Sequence, residues 1–272
     1  MKRNNEERTK TRRQQSAAID PSALLDFVAP TELVDLPSRG IGYPVGHPLR
    51  DKETVEIRHM TAKDEDILTS RSLLKKGIAL DRLINNIIVD KIVRAKDILI
   101  GDRNAIIIAA RSSAYGHLYE TKTQCPACSA TKKMTFDLDS LETTEPSLEE
   151  VEELENGNYL YITEHSKIEV EMRLLNGHDE AVLFKFMNDK NSDSTVTTQM
   201  KLYIVSVNGH KDRVVVNHFV DNVPAIESRA VRKVFAKLSA NVKVTENFEC
   251  DSCGFEQEME VPFNTDFFWP DR

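Results

Sequence analysis

The chain has four cysteines, and all of them fall into two Cys-x-x-Cys pairs, Cys125-Pro-Ala-Cys128 and Cys250-Asp-Ser-Cys253. Two cysteines two residues apart, at the tip of a hairpin, place both thiolates on one ion. A second such hairpin completes the tetrahedron that Zn²⁺ prefers. Both pairs sit in matching strand-like surroundings. Thr123-Gln-Cys125 runs on to Met134-Thr-Phe136, and Phe248-Glu-Cys250 runs on to Met259-Glu-Val261. The repeat reads as two knuckles of one zinc ribbon. Its ligands are Cys125, Cys128, Cys250 and Cys253, with one Zn²⁺ in a closed shell that is structural rather than catalytic. A thiol–disulfide redox motif and two half-sites shared between subunits are the competing readings.

The spacing constrains the fold. There are 121 residues between Cys128 and Cys250. Loop closure grows only as the logarithm of length, so a long loop costs little more to close than a short one. A structural zinc contributes on the order of 10 kcal/mol in small peptides, which offsets that closure. The metal would staple the end of one unit to the C-terminus and hold the residues between as an insertion. In a reducing compartment such cysteines do not form disulfides.

The intervening pattern is mixed α+β. Residues 31–50, with three Gly and three Pro, read as a shaped loop, and Glu53–Arg58 alternates as a strand. Thr61-x-x-Asp64 begins a helix that Gly77 stops. Leu80, Leu83, Ile84, Ile87 and Ile88 stripe a second helix. Asp102 caps a third, apolar all round at Ala105–Ala110 and ended by Gly116. Residues 31–117 are therefore a loop, a strand and a three-helix unit, and 118–139 are the first knuckle. Residues 140–158 are an acidic linker, and 159–243 an α+β insertion. The insertion has a hairpin at 159–163 and 167–175, helices over 178–188 and around Met200–Val207, a strand at Val214–Val216, and a helix after Pro224. Residues 244–272 hold the second knuckle and an aromatic tail suited to docking.

Residues 1–30 form a basic arm, with six Lys or Arg among the first thirteen residues. Its first twenty residues are expected to be disordered in the free protein. The arm is either a solvated tail or a segment that orders on an acidic partner.

The net charge of -8 argues against a broad nucleic-acid or membrane surface. The longest apolar run, Ala105–Ala110, is far short of a membrane span, and the polar N-terminus does not read as a secretory signal. A cytoplasmic protein is expected. No Gly is followed by Lys, GxSxG is absent, and the histidines show no HExxH spacing. The chain therefore reads as a binding or assembly protein and not an enzyme. A zinc-ribbon adaptor for nucleic acid or transcription is the alternative.

Several segments carry a family resemblance. They are Leu36-Pro-Ser-Arg-Gly-Ile-Gly-Tyr-Pro44, Met60-Thr-Ala-Lys-Asp-Glu-Asp66, Leu99-Ile-Gly-Asp-Arg103, Ala110-Arg-Ser-Ser-Ala-Tyr-Gly116 and Cys125-Pro-Ala-Cys128. Phe219-Val-Asp-Asn-Val-Pro-Ala225, leading into Ser228-Arg229, continues the series. Together they resemble the baseplate hub and hub-assembly proteins of T4-type contractile-tailed bacteriophages, over roughly residues 31–260. The basic tail and the acidic loop after Leu141 fall outside the match. The resemblance implies a place in the virion tail baseplate, or in the host cytoplasm during assembly. Its implied partners are hub and tape-measure proteins, and a homo-oligomer is compatible with it. It carries over no catalytic residue, only the four cysteines as zinc ligands.

Overall fold

The computed structural model describes residues 29–188, 195–260 and 267–268. The basic arm assigned to residues 1–30 lies outside them except for its last two positions. Most of the C-terminal tail lies outside them as well.

β1 (Thr31–Asp35) pairs antiparallel with β2 (Thr54–Arg58), Val34 facing Val55. The segment expected to be all loop thus opens with a strand. Only Val34 of β1 is buried, and Leu33 is 70% exposed, so its alternation is too short to register as a pattern. Residues 36–53 between the strands form the shaped loop.

The expected first helix is broken in two. α1 (Ala62–Thr69) is followed by α2 (Arg71–Lys75), with Ser70 in an extended conformation between them. The Thr69 hydroxyl donates to the Glu65 and Asp66 carbonyls, a side-chain competitor for the backbone ladder. At the start of α1 the Thr61 N–H and hydroxyl both donate to the Asp64 carboxylate, each at 2.8 Å. Gly77 follows α2 with φ +66, and the Ile78 N–H closes back on the Leu73 carbonyl at 3.1 Å, so the stop falls where the sequence placed it.

α3 (Ala79–Ile87) buries Leu83, Ile84 and Ile87 as its stripe requires. α4 (Ile100–Tyr115) runs through the centre of the packing and ends at Gly116. Asp102 does not cap it. Leu99 occupies the cap position, and Asp102 lies one turn in, fully buried. Its carboxylate accepts from the Ser38 N–H at 2.9 Å, the Ser38 hydroxyl at 2.6 Å and the Tyr43 hydroxyl at 2.7 Å. The carboxylate is turned toward the loop at Ser38 and Tyr43, and it makes no side-chain cap hydrogen bond to its own helix end.

β3 (Leu118–Gln124) and β4 (Thr131–Asp137) form the first ribbon hairpin. The acidic segment that follows is not bare linker. β5 (Glu142–Thr144) pairs with β10 (Asn241–Lys243), and β6 (Glu152–Glu153) joins β7 (Tyr159–Ile162). β6, β7, β8 (Glu169–Met172) and β9 (Ile204–Val207) make a four-stranded antiparallel sheet in that order. α5 (Gly177–Asn188), α6 (Thr195–Tyr203), α7 (Arg213–Asn222) and α8 (Ala225–Leu238) complete the insertion.

Two expectations fail here. The segment read as one helix through Val207 is α6 followed directly by β9. The strand expected at Val214–Val216 is the first turn of α7. The Asp212 carboxylate accepts from the Val214 N–H at 2.8 Å and starts a helix, and Val216 and Val220, four residues apart, are buried with Phe219. A strong N-cap outweighs the strand preference of three valines. β11 (Thr245–Glu249) and β12 (Glu256–Glu260) form the second ribbon hairpin.

The helical unit and the insertion are pinned together by Arg103. Its guanidinium, 3% exposed, lies 2.7 Å from Asp81 on α3 and 2.9 Å from Glu180 on α5, and donates to the Ala95 carbonyl. A buried cation so enclosed is costly to strip of any one partner.

Candidate metal centre

The two hairpin tips meet. The Sγ atoms of Cys125 and Cys253 are 3.8 Å apart and those of Cys128 and Cys250 are 3.6 Å apart. All four ligand atoms lie within 4.8 Å of one another. A Zn–S bond of about 2.3 Å in a tetrahedron demands S···S edges of about 3.8 Å. A disulfide demands about 2.05 Å. These contacts have metal-site dimensions, and they lie within one chain. Each knuckle contributes one buried sulfur, Cys125 or Cys250, and one exposed sulfur, Cys128 or Cys253.

The backbone repeats around the site. The Cys125 N–H donates to the Ala130 carbonyl at 2.8 Å, and the Ser129 N–H to the Cys125 carbonyl at 2.9 Å. In the second knuckle the Cys250 N–H donates to Phe255 and the Gly254 N–H to Cys250, both at 2.9 Å. The residue after the outer cysteine is left-handed in both, Ser129 at φ +60 and Gly254 at φ +68. This turn points further backbone N–H groups at sulfur. The Ser252 N–H, then the Cys253 N–H, hold the Cys250 thiol down at about 6. The Phe255 N–H favours the Cys253 thiolate too, but the crowding of Cys128, burial and Cys250 push that thiol up to about 12. Four sulfurs this close cannot all ionise without a cation among them. The donor set therefore fits one soft divalent metal ion, and a closed Cys₄ shell leaves no position for substrate or water.

Two supports were not evident in the sequence. Lys132 on β4 reaches across the ribbon to the Glu249 carbonyl and the Asp251 carboxylate, each at 2.7 Å. Beneath the knuckles Phe136, Phe248 and Tyr119 are buried, and Phe267 meets Tyr119 edge-on at 5.0 Å between centroids. The Phe267 carbonyl accepts from buried Arg111 at 2.8 Å. Those two tail aromatics, Phe267 and Phe268, thus pack within their own chain. The placement of Lys132 one residue past the start of the return strand is the one local signal for its role.

Among the described residues no helix is long and apolar enough to cross a membrane. The fold and the site define an α+β protein in which four cysteines from two distant segments meet in a cluster suited to one metal ion. The chain belongs to the T4 bacteriophage base plate protein family, which it matches over residues 41–269. No curated protein and no solved structure matches it.

Proposed function

We propose that this chain is a baseplate hub subunit or hub assembly factor of a T4-like contractile-tailed phage, working through protein–protein contacts with hub and tape-measure proteins. The family match over residues 41–269 carries the reading. In it, Cys125, Cys128, Cys250 and Cys253 hold one structural zinc, and no residue has a catalytic role. The metal fixes the ends of the helical unit and the insertion to one another, so that the surfaces around them are presented rigidly. The protein would reside in the virion tail baseplate, in the host cytoplasm during assembly, or in both.

Quantitative mass spectrometry of purified particles beside infected-cell lysate tests this. A constant few copies per particle identifies a hub subunit. Abundance in lysate, in complex with hub or tape-measure proteins and absent from particles, identifies an assembly factor. Absence from particles together with no such complex in lysate would sink the proposal.

A further inference from the structure

Two segments of the exposed surface carry opposite charge. Residues 62–96, covering α1 to α3 and the loop that follows, hold eight Lys or Arg and five Asp or Glu. Four of those acids are engaged internally, Asp64 by Arg58, Asp81 by Arg103, Glu65 by the Tyr115 hydroxyl and Asp90 by the Ile92 N–H, and Asp66 is exposed. Lys63, Arg71, Lys75, Lys76, Arg82 and Arg94 are exposed, and none of them makes an ion pair among the described residues. In the same segment Ile92 is 75% exposed and Val89 is also open to solvent.

Residues 139–155 are the opposite case, with eight acids and no Lys or Arg. Three acids are matched by Arg or Lys within the chain, Glu145 by Arg39, Glu150 by Lys237 and Glu153 by Arg50, and Asp139 lies 3.9 Å from the His117 ring. Glu142, Glu149, Glu152 and Glu155 are exposed with no ion pair among the described residues, beside exposed Leu148. This segment is held in place by the β5–β10 and β6–β7 pairings and by the Ser147 N–H on the Lys237 carbonyl at 2.9 Å. It therefore presents its charges from a fixed backbone.

We propose that these two surfaces form one contact between copies of this chain, the basic face of residues 62–96 docking on the acidic segment 139–155 of the next copy. Charge complementarity selects the occupant. A second copy brings unpaired acids for the basic residues and unpaired basic residues for the acids, so a single kind of contact satisfies both surfaces, whereas a nucleic acid would leave the acidic segment unmatched. Ile92 and Val89 on one side and Leu148 on the other supply an apolar centre inside the charged rim. Because the two surfaces are different parts of the chain, the contact either pairs reciprocally in a two-fold dimer or repeats head-to-tail into a ring or filament.

Sedimentation of the purified full chain at low and high salt tests this. The expected result is concentration-dependent association that weakens as salt rises. Reversing the basic face (Arg71→Glu, Lys75→Glu, Lys76→Glu) or the acidic one (Glu149→Lys, Glu152→Lys, Glu155→Lys) should each weaken self-association by at least about tenfold. Mixing the two reversed proteins should restore it, since each then carries the complement of the other. All six side chains are exposed, so unchanged melting would show that the fold is intact. A wild type that is monomeric throughout, reversed proteins that associate like wild type, or a mixture that fails to recover would each overturn the proposal. Salt-dependent binding of a DNA duplex through Arg71, Lys75 and Lys76 by a monomeric wild type would also overturn it, and would make the face a phosphate surface.

Discussion

Gly101 on α4 faces the Ala240 carbonyl so closely that a Cβ at position 101 would lie 1.9 Å from that oxygen. Gly101 has ordinary helical backbone, so the requirement is for space and not for unusual torsion. It sets how near α4 can come to the chain entering β10, and β10 leads directly into the second knuckle. The Ala240 backbone would have to move for any side chain to fit. Gly101→Ala should therefore destabilise the protein by about 3 kcal/mol or more, despite the better helix propensity of alanine. Thermal melting checks this, and an unchanged midpoint would mean that α4 and β10 are not in this contact.

The two knuckles also differ in one testable respect. Ser129 and Gly254 occupy equivalent left-handed positions, but only glycine does so without strain. Among the described residues no hydrogen bond uses the Ser129 side chain; the Ser129 N–H and carbonyl make the local contacts. Ser129→Gly should raise stability by about 0.5 kcal/mol, the relief of strain exceeding the entropy of a freer unfolded chain. Gly254→Ala should lower it by about 1 kcal/mol. Denaturant titration of both variants should show midpoint shifts of opposite sign.

The metal prediction follows from the same geometry. Protein purified without chelator should contain one zinc per chain by elemental analysis. Cys250→Ser should abolish that content and lower the melting temperature of the whole fold, because the site joins segments separated by 121 residues. A chelator strong enough to strip zinc should lower the wild type in the same way and leave Cys250→Ser unmoved. Zinc-free protein with unaltered melting would contradict the assignment.

The cysteine pairs were legible because a metal site needs few residue types at fixed spacing, and the repeat around Cys125 and Cys250 announced both hairpins. Thr61 with Asp64, and Gly77, were legible because caps and stops are local. What escaped depends on partners far along the chain. Asp102 looks like a helix cap until Ser38 and Tyr43, 64 and 59 residues away, are seen to claim its oxygens. β1 has one buried side chain and exists because Val55 lies opposite Val34. The acidic segment 140–158 shows no apolar period, yet the backbone of β10 and β7 orders parts of it. At Val214 a local signal was present but outweighed: three β-branched residues suggested a strand, and the carboxylate of Asp212 decided for a helix.

Asp64 supplies a pH dependence that can be isolated. Burial alone would raise its carboxyl, but hydrogen bonds from Arg58, Thr61 and Asn86 outweigh that and hold it at about 2, below the ordinary 3.8. The unfolded chain therefore binds this proton more readily than the folded one. The stabilisation is complete above about pH 4 and is lost as the pH falls from there through about 2. Arg58 is partly open to solvent, which screens the pair, so the contribution is roughly 1–2 kcal/mol. Asp64→Asn should reduce stability at neutral pH by at least that amount, since Arg58 loses its counter-charge and the α1 cap weakens. The difference between wild type and Asp64→Asn should then narrow as the pH is lowered from 4 toward 2. Melting curves of the two proteins over that interval measure it directly. Curves that stay parallel throughout would show that the carboxylate is not the group through which acid acts on this end of α1.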